Sequence, residues 1–155
     1  MELEIPGSGK IVIKNIVCDF NGTLAVGGSL ISGVDSLINE LSKDFNFYVI
    51  TADTFGTAQA QLKHVNCQFS ILPQNDQQQA KYDFIRNLGC EETAALGNGR
   101  NDLLMLKHAV VGIAVLESEG IYSELAQASD VLCKSIIDGL SLFQYPLRLV
   151  ATLRS

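Results

Sequence analysis

The chain has 155 residues, 47% of them apolar and 18% charged, and a formal net charge of −6 from 11 basic and 17 acidic side chains. That length fits one domain spanning residues 1–155 with a sizeable core, and the composition argues against disorder. The acidic balance argues against nucleic acid or an anionic membrane surface as partner. No apolar run approaches the ~20 residues of a membrane helix. The opening MELEIPGSGK has no apolar signal core, so a cytoplasmic location is the expectation.

In chain order, Glu2–Ile5 and the β-branched run Ile11–Cys18 read as strands joined by a turn at Gly7-Ser8-Gly9. Val34, Leu37, Ile38 and Leu41 follow the spacing of an amphipathic helix, continued to Lys43. Phe47–Ile50 reads as a buried strand, Thr57 to about Val65 as a helix, and Phe69–Leu72 as a strand ended by Pro73. Lys81 opens a helix whose face is Phe84, Ile85 and Leu88 and which Gly89 closes. A strand Ala94–Leu96, a helix Leu103–Ala109, a strand Val110–Val115, a helix Ile121 to about Ala128 and a strand Val131–Cys133 follow. A helical tail runs from about Ile136 and breaks near Pro146. Gln77-Gln78-Gln79 is a compositional oddity too short to carry meaning.

This alternation implies an α/β fold: a doubly wound, Rossmann-like, mainly parallel sheet with helices on both faces, preceded by an N-terminal β-hairpin. In such sheets ligands bind beyond the carboxyl ends of the strands. Three loops occupy that position. Asp19-Phe20-Asn21-Gly22-Thr23-Leu24 places a carboxylate directly after a buried strand. Thr51-Ala52-Asp53 places a hydroxyl at a strand end. Gly97-Asn98-Gly99-Arg100-Asn101-Asp102 combines two glycines, which allow close backbone approach, with oxygen donors that suit a hard cation. Each has a bland reading: an Asn-Gly hairpin turn, a common strand-end Thr, and Asp102 as a helix N-cap. The four cysteines, Cys18, Cys67, Cys90 and Cys133, form no CxxC pair and fit neither a zinc site nor a disulfide framework. His64 and His108 fall late in predicted helices, where structural roles suffice.

Together, a strand-end Asp followed by xxGT, a strand-end Thr, a helical Lys and GxGxND, in that order, resemble the haloacid dehalogenase superfamily. The likeness covers four motifs between Asp19 and Asp102. The phrases IPG, DFNGTLA, VITADTFGT, GNGRNDLLMLK and VATLR resemble more narrowly its small soluble P-type-ATPase-like members.

The resemblance implies a phosphatase forming an aspartyl-phosphate on Asp19. It implies phosphoryl binding by Thr51, Ala52 and Lys81, joined by backbone N–H groups of the turn at Gly22 and Thr23. It implies Mg²⁺ held by Asp19, the carbonyl of Asn21, Asn98 and Asp102. The expected partner is a small phosphorylated substrate. Two departures stand out. Asn21 occupies the position where most phosphatases of the superfamily carry an Asp that acts as general acid and base. Asn98 occupies the position of a metal-binding Asp. These departures make slow turnover the expectation, with a non-catalytic phosphate- or nucleotide-binding module as the alternative. No independent cap fits between Asp19 and Thr51 or between Thr51 and Gly97; Leu24–Ile31 suffices only for a small flap. An open site and an N-terminal hairpin edge make a homo-oligomer the expected assembly.

Overall fold

The computed structural model describes residues 1–52 and 56–155, so the Asp53 of the second loop and the Thr54 and Phe55 of VITADTFGT lie outside the described residues. The N-terminal hairpin pairs β1 (Glu2–Ile5) antiparallel with β2 (Gly9–Val12). Past it, β3 (Asn15–Asp19) enters the main sheet. A small antiparallel flap, β4 (Ala25–Val26) and β5 (Ser29–Leu30), precedes α1 (Val34–Leu41) and β6 (Asn46–Thr51). Then α2 (Ala58–Gln61) leads to β7 (Gln68–Ile71), and α3 (Gln77–Leu88) leads to β8 (Thr93–Gly97). After these, α4 (Leu103–His108) leads to β9 (Val111–Val115), and α5 (Ser123–Ala128) leads to β10 (Val131–Cys133). The chain ends in α6 (Ile136–Gln144) and α7 (Pro146–Leu153).

Among the described residues, six parallel strands form the main sheet in the order β10-β9-β8-β3-β6-β7. The chain winds outward from β3 through β6 to β7, then returns to the other side of β3 with β8. The switch in strand order therefore falls between β3 and β8, and a crevice opens there at the carboxyl ends of the strands. Side chains alternate between two apolar layers, as a period of two requires. Ile16, Cys18, Val49, Leu96, Ile113 and Val115 pack with α1, α2, α6 and α7. Val17, Ile50, Ala95 and Ala114 pack with Ile85 of α3, Met105 and Leu106 of α4 and Leu125 of α5. β3 is buried along its whole length because helices cover both faces.

The strand expected over Ile11–Cys18 is two strands. Ile13 exchanges hydrogen bonds with Met1, while the Lys14 N–H donates to the Glu92 carbonyl and its own carbonyl accepts from Asn46. The change of partner at Ile13–Lys14 turns the chain from the hairpin into the main sheet. The helix expected over Thr57–Val65 is only α2. Asn39 of α1 donates its amide to the His64 carbonyl and accepts from the Asn66 N–H, holding that stretch in a turn. His64 is therefore not helical, whereas His108 ends α4 with its ring 4.7 Å from that of Tyr82. α1 stops at Leu41, two residues before Lys43. Among the described residues no helix is long and apolar enough to cross a membrane.

Candidate active site

β3 and β6 deliver Asp19 and Thr51 to the same edge of the sheet, and the loop after β8 delivers Asn98. Lys81 comes from the second turn of α3, which Asp76 caps by accepting from the Gln79 N–H. Its side chain runs inward until only 1% remains exposed. The Lys81 ammonium lies 2.6 Å from Asp19 Oδ1 and 2.6 Å from Asp102 Oδ1, bridging the two carboxylates. Burial alone would lower the Lys81 pKa, but Asp102 and then Asp19 more than offset this and hold it above the ordinary lysine value. Burial pushes the Asp19 carboxyl up to about 6, against the lowering pull of Lys81 and with a further push from Asp102.

Asp102 is fully buried and both its oxygens are engaged. Oδ1 accepts from Lys81, while Oδ2 accepts the N–H groups of Asn98 (3.1 Å) and Gly99 (2.9 Å). Its carboxylate thus folds back on its own loop instead of capping α4 or facing the crevice. Asp102, expected among the metal ligands, is engaged here by the Lys81 ammonium and by the N–H groups of its own loop. Gly97 has to be glycine because the Asp102 carboxylate lies where a Cβ would stand.

The turn after Asp19 also differs from expectation. The Gly22 N–H donates to the Ala25 carbonyl at 2.7 Å, and those of Thr23, Leu24 and Ala25 converge on the Phe20 carbonyl. The backbone donors expected from Gly22 and Thr23 for a phosphoryl group therefore close the turn. Gly22, at φ 79°, packs against the Asn98 amide so closely that a side chain would collide with it. Thr23 works through its hydroxyl, 3.2 Å from Asp19 Oδ2 and 3.3 Å from Asn98 Oδ1. Asn98 Nδ2 donates to the Gly120 carbonyl at 3.0 Å, which fixes the amide with its oxygen turned toward Thr23 and Asp19.

Above this array lies a cleft of about 290 Å³ lined by Asp19, Asn21, Thr51, Ala52, Asn98 and, beyond them, Gln77, Gly99 and Asn101. The Asn21 amide reaches Thr51 Oγ1 at 3.5 Å. Gln77 and Asn101, which sequence reasoning missed, meet through a 2.8 Å hydrogen bond at the rim. Gln77 sat in the Gln77–Gln79 run; only its position at the start of α3, one turn before Lys81, signalled its place. The oxygens of Asp19 and Asn98 converge on one hydroxyl, and all donors facing the cleft are oxygen or amide groups. This set fits a hard cation such as Mg²⁺ with one fewer charge than two carboxylates would give. Among the described residues no three His, Cys, Asp or Glu side chains gather as a metal site.

No protein-family model matches the chain. An uncharacterized protein of Methanocaldococcus jannaschii is 47% identical over 60 residues, a match covering 39% of this chain and 64% of that protein's length. The 3-deoxy-D-manno-octulosonate 8-phosphate phosphatase of Moraxella catarrhalis was solved with magnesium, phosphate and KDO. It superposes with a TM-score of 0.70 at 17% identity, over 92% of this chain and 94% of the other. A phospho-aspartyl intermediate analogue of phosphoserine phosphatase superposes with a TM-score of 0.68 at 14% identity, over 86% and 99%. Likenesses at these identities establish the fold: this chain has the Rossmann-like architecture of these two phosphatases.

Proposed function

We propose that the protein is a slow phosphatase of the haloacid dehalogenase superfamily, acting through an aspartyl-phosphate on Asp19. The observation that carries this reading is the buried chain Asp19–Lys81–Asp102, set at the switch point of the sheet beneath a cleft lined by Thr51 and Asn98. A carboxylate so placed has a cation behind it and hydrogen-bonding groups in front, as in-line attack on phosphorus requires.

In the first step the Asp19 carboxylate attacks phosphorus and the ester P–O bond breaks, leaving with its electron pair on the alcohol oxygen. Lys81 offsets the charge gathering on Asp19 and on the transferred group, while Thr51 and Ala52 border the phosphoryl oxygens. Asn21 has no proton to cycle, so the leaving oxygen takes one from water. In the second step water attacks phosphorus and gives its proton to solvent, the bond from phosphorus to the Asp19 oxygen breaks with its electron pair on Asp19, and inorganic phosphate leaves. Mg²⁺, held by Asp19, the Asn21 carbonyl and the Asn98 amide oxygen, would supply further neutralisation of phosphoryl charge. The single domain 1–155 needs no cap for these steps.

The resemblance to soluble P-type-ATPase-like members fits Asn21, since P-type ATPases also lack an Asp there and keep a long-lived phosphoenzyme. Asn21 and Asn98 equally favour a second reading, a phosphate- or nucleotide-binding module without turnover. Beryllium fluoride with Mg²⁺ tests the working site. A rise in thermal midpoint that needs both ions and disappears in Asp19→Ala supports the aspartyl-phosphate chemistry. A wild type indifferent to both ions overturns it.

A further inference from the structure

Beside the cleft over Asp19, and sharing Asn21 as a wall, lies a larger cavity of about 730 Å³. Such a volume accommodates a small organic ligand. Its walls carry the side chains of Asn21, Ser29, Thr57, Gln61 and Glu119, and the Gly27-Gly28 turn of the flap closes one side. The flap is pinned at both edges. Glu119 Oε1 accepts from the Gly27 N–H at 2.7 Å. Gln61 Oε1 accepts from the Leu30 N–H at 2.6 Å, and its amide donates to the Gly28 carbonyl. The cavity is thus preformed, with hydroxyl, amide and carboxylate groups around it.

The charge of the surrounding segments is one-sided. Residues 20–33 hold no ionisable side chain, residues 56–61 hold no charged one, and residues 116–122 hold Glu117 and Glu119 but no lysine or arginine. Glu117 is turned away, accepting from the Ile136 N–H at 2.6 Å. Arg100, the basic residue of the neighbouring loop, is held over the Tyr122 ring at 4.9 Å and does not line the cavity.

We infer that this cavity takes the alcohol portion of the phosphate ester and selects polyhydroxylated alcohols that are neutral or amine-bearing over those carrying a carboxylate or second phosphate. The inference rests on the phosphatase reading. Hydroxyl groups find donors and acceptors on Ser29, Thr57, Gln61 and Asn21, and an ammonium finds the Glu119 carboxylate. An added anion meets Glu119 with no cation to offset it.

Three open-chain six-carbon esters isolate that charge: 2-amino-2-deoxyglucitol 6-phosphate, glucitol 6-phosphate and 6-phosphogluconate. Their affinities are measured by calorimetry with Mg²⁺ on the full chain carrying Asp19→Asn, which cannot turn over, with inorganic phosphate as reference. The glucitol and aminoglucitol phosphates should bind at least about fivefold more tightly than the gluconate, the scale of one partly screened charge contact. Glu119→Gln, which keeps an oxygen for the Gly27 N–H, should shrink that gap below about twofold. Equal or tighter binding of the gluconate overturns the inference, as does an unchanged gap in Glu119→Gln. Phosphate binding without binding of any of the three esters also overturns it and leaves the phosphatase reading standing. Absence of phosphate binding, together with no release of nitrophenol from p-nitrophenyl phosphate by the wild type, overturns both.

Discussion

On the proposed phosphatase reading, Asn21 decides which half of phosphoryl transfer is difficult. Attack by Asp19 needs no proton when the leaving group is a weak base, but an alkoxide needs an acid and the second step needs a base. Such catalysis is typically worth about 10²–10⁴-fold. The wild type should therefore be far less impaired on aryl than on alkyl phosphates, and its phosphoenzyme should persist. Asn21→Asp, nearly isosteric, should raise turnover on alkyl phosphates by at least about tenfold, a cautious fraction of that range. Steady-state assays with matched alkyl and aryl esters and Asp19→Asn as a blank check this; no gain over an active wild type removes residue 21 as the missing acid and base. Asn98 poses a different trade. Its Nδ2 is matched to the Gly120 carbonyl, so Asn98→Asp turns a carboxylate oxygen toward a carbonyl while adding charge to the proposed metal site. The variant should bind Mg²⁺ more tightly by calorimetry yet be less stable without metal by about 1–2 kcal/mol, the scale of a lost hydrogen bond with an unsatisfied partner. Unchanged Mg²⁺ affinity would show that residue 98 is not a ligand.

At the scale of elements, the flap has two strands of two residues each, too small to stand alone. Gln61, just past the first turn of a four-residue helix, supports it through two hydrogen bonds to its backbone. Gln61→Ala should speed amide exchange at Leu30 by about tenfold, equivalent to about 1.4 kcal/mol of local opening, while leaving exchange in β3 and β8 unchanged. Exchange at Leu30 unaltered would mean that Glu119 and β4–β5 pairing suffice. The flap's size was legible because Leu24–Ile31 has too few residues for more. The α/β order was legible too, since each buried strand is a short apolar run bounded by a helical face. Where the sequence misled, the cause was tertiary. Ile11–Cys18 is rich in β-branched residues on both sides of Lys14-Asn15, and that polar pair alone does not reveal that the chain changes partner there. In sequence Asp102 fits an N-cap or a ligand equally well, and its contacts with Lys81 and the Asn98 loop depend on a helix brought in from 21 residues away. The hydrogen bonds of the Gly22 and Thr23 N–H groups to Ala25 and Phe20 were not legible, because the same turn residues can either expose these donors or close them within the turn.

For the whole molecule, the site is a source of instability that the fold carries. The Asp19 carboxyl is raised from 3.8 to about 6 by burial, so the native chain binds this proton more tightly than the unfolded one. Between those two pH values stability falls as pH rises, and the full cost is present at pH 7. Lys81 acts in a different window: its raised value contributes stability below about 10.5 that is lost as pH climbs above it. Without metal, Asp19→Asn should therefore be more stable than the wild type at pH 7, by about 1–3 kcal/mol on the scale of 1.36 kcal/mol per pKa unit. Lys81 keeps Asp102 as its partner in that variant. The advantage should fade as pH falls toward 4, where Asp19 in the wild type is protonated. Mg²⁺ should reverse the order at pH 7, because it binds the native wild type through the charge that Asp19→Asn lacks. Urea denaturation of both proteins at pH 4 and pH 7, with and without Mg²⁺, reads all of these terms. A metal-free Asp19→Asn chain less stable than the wild type at pH 7 would show that the Lys81 pair outweighs burial. The strain would then lie elsewhere than in Asp19.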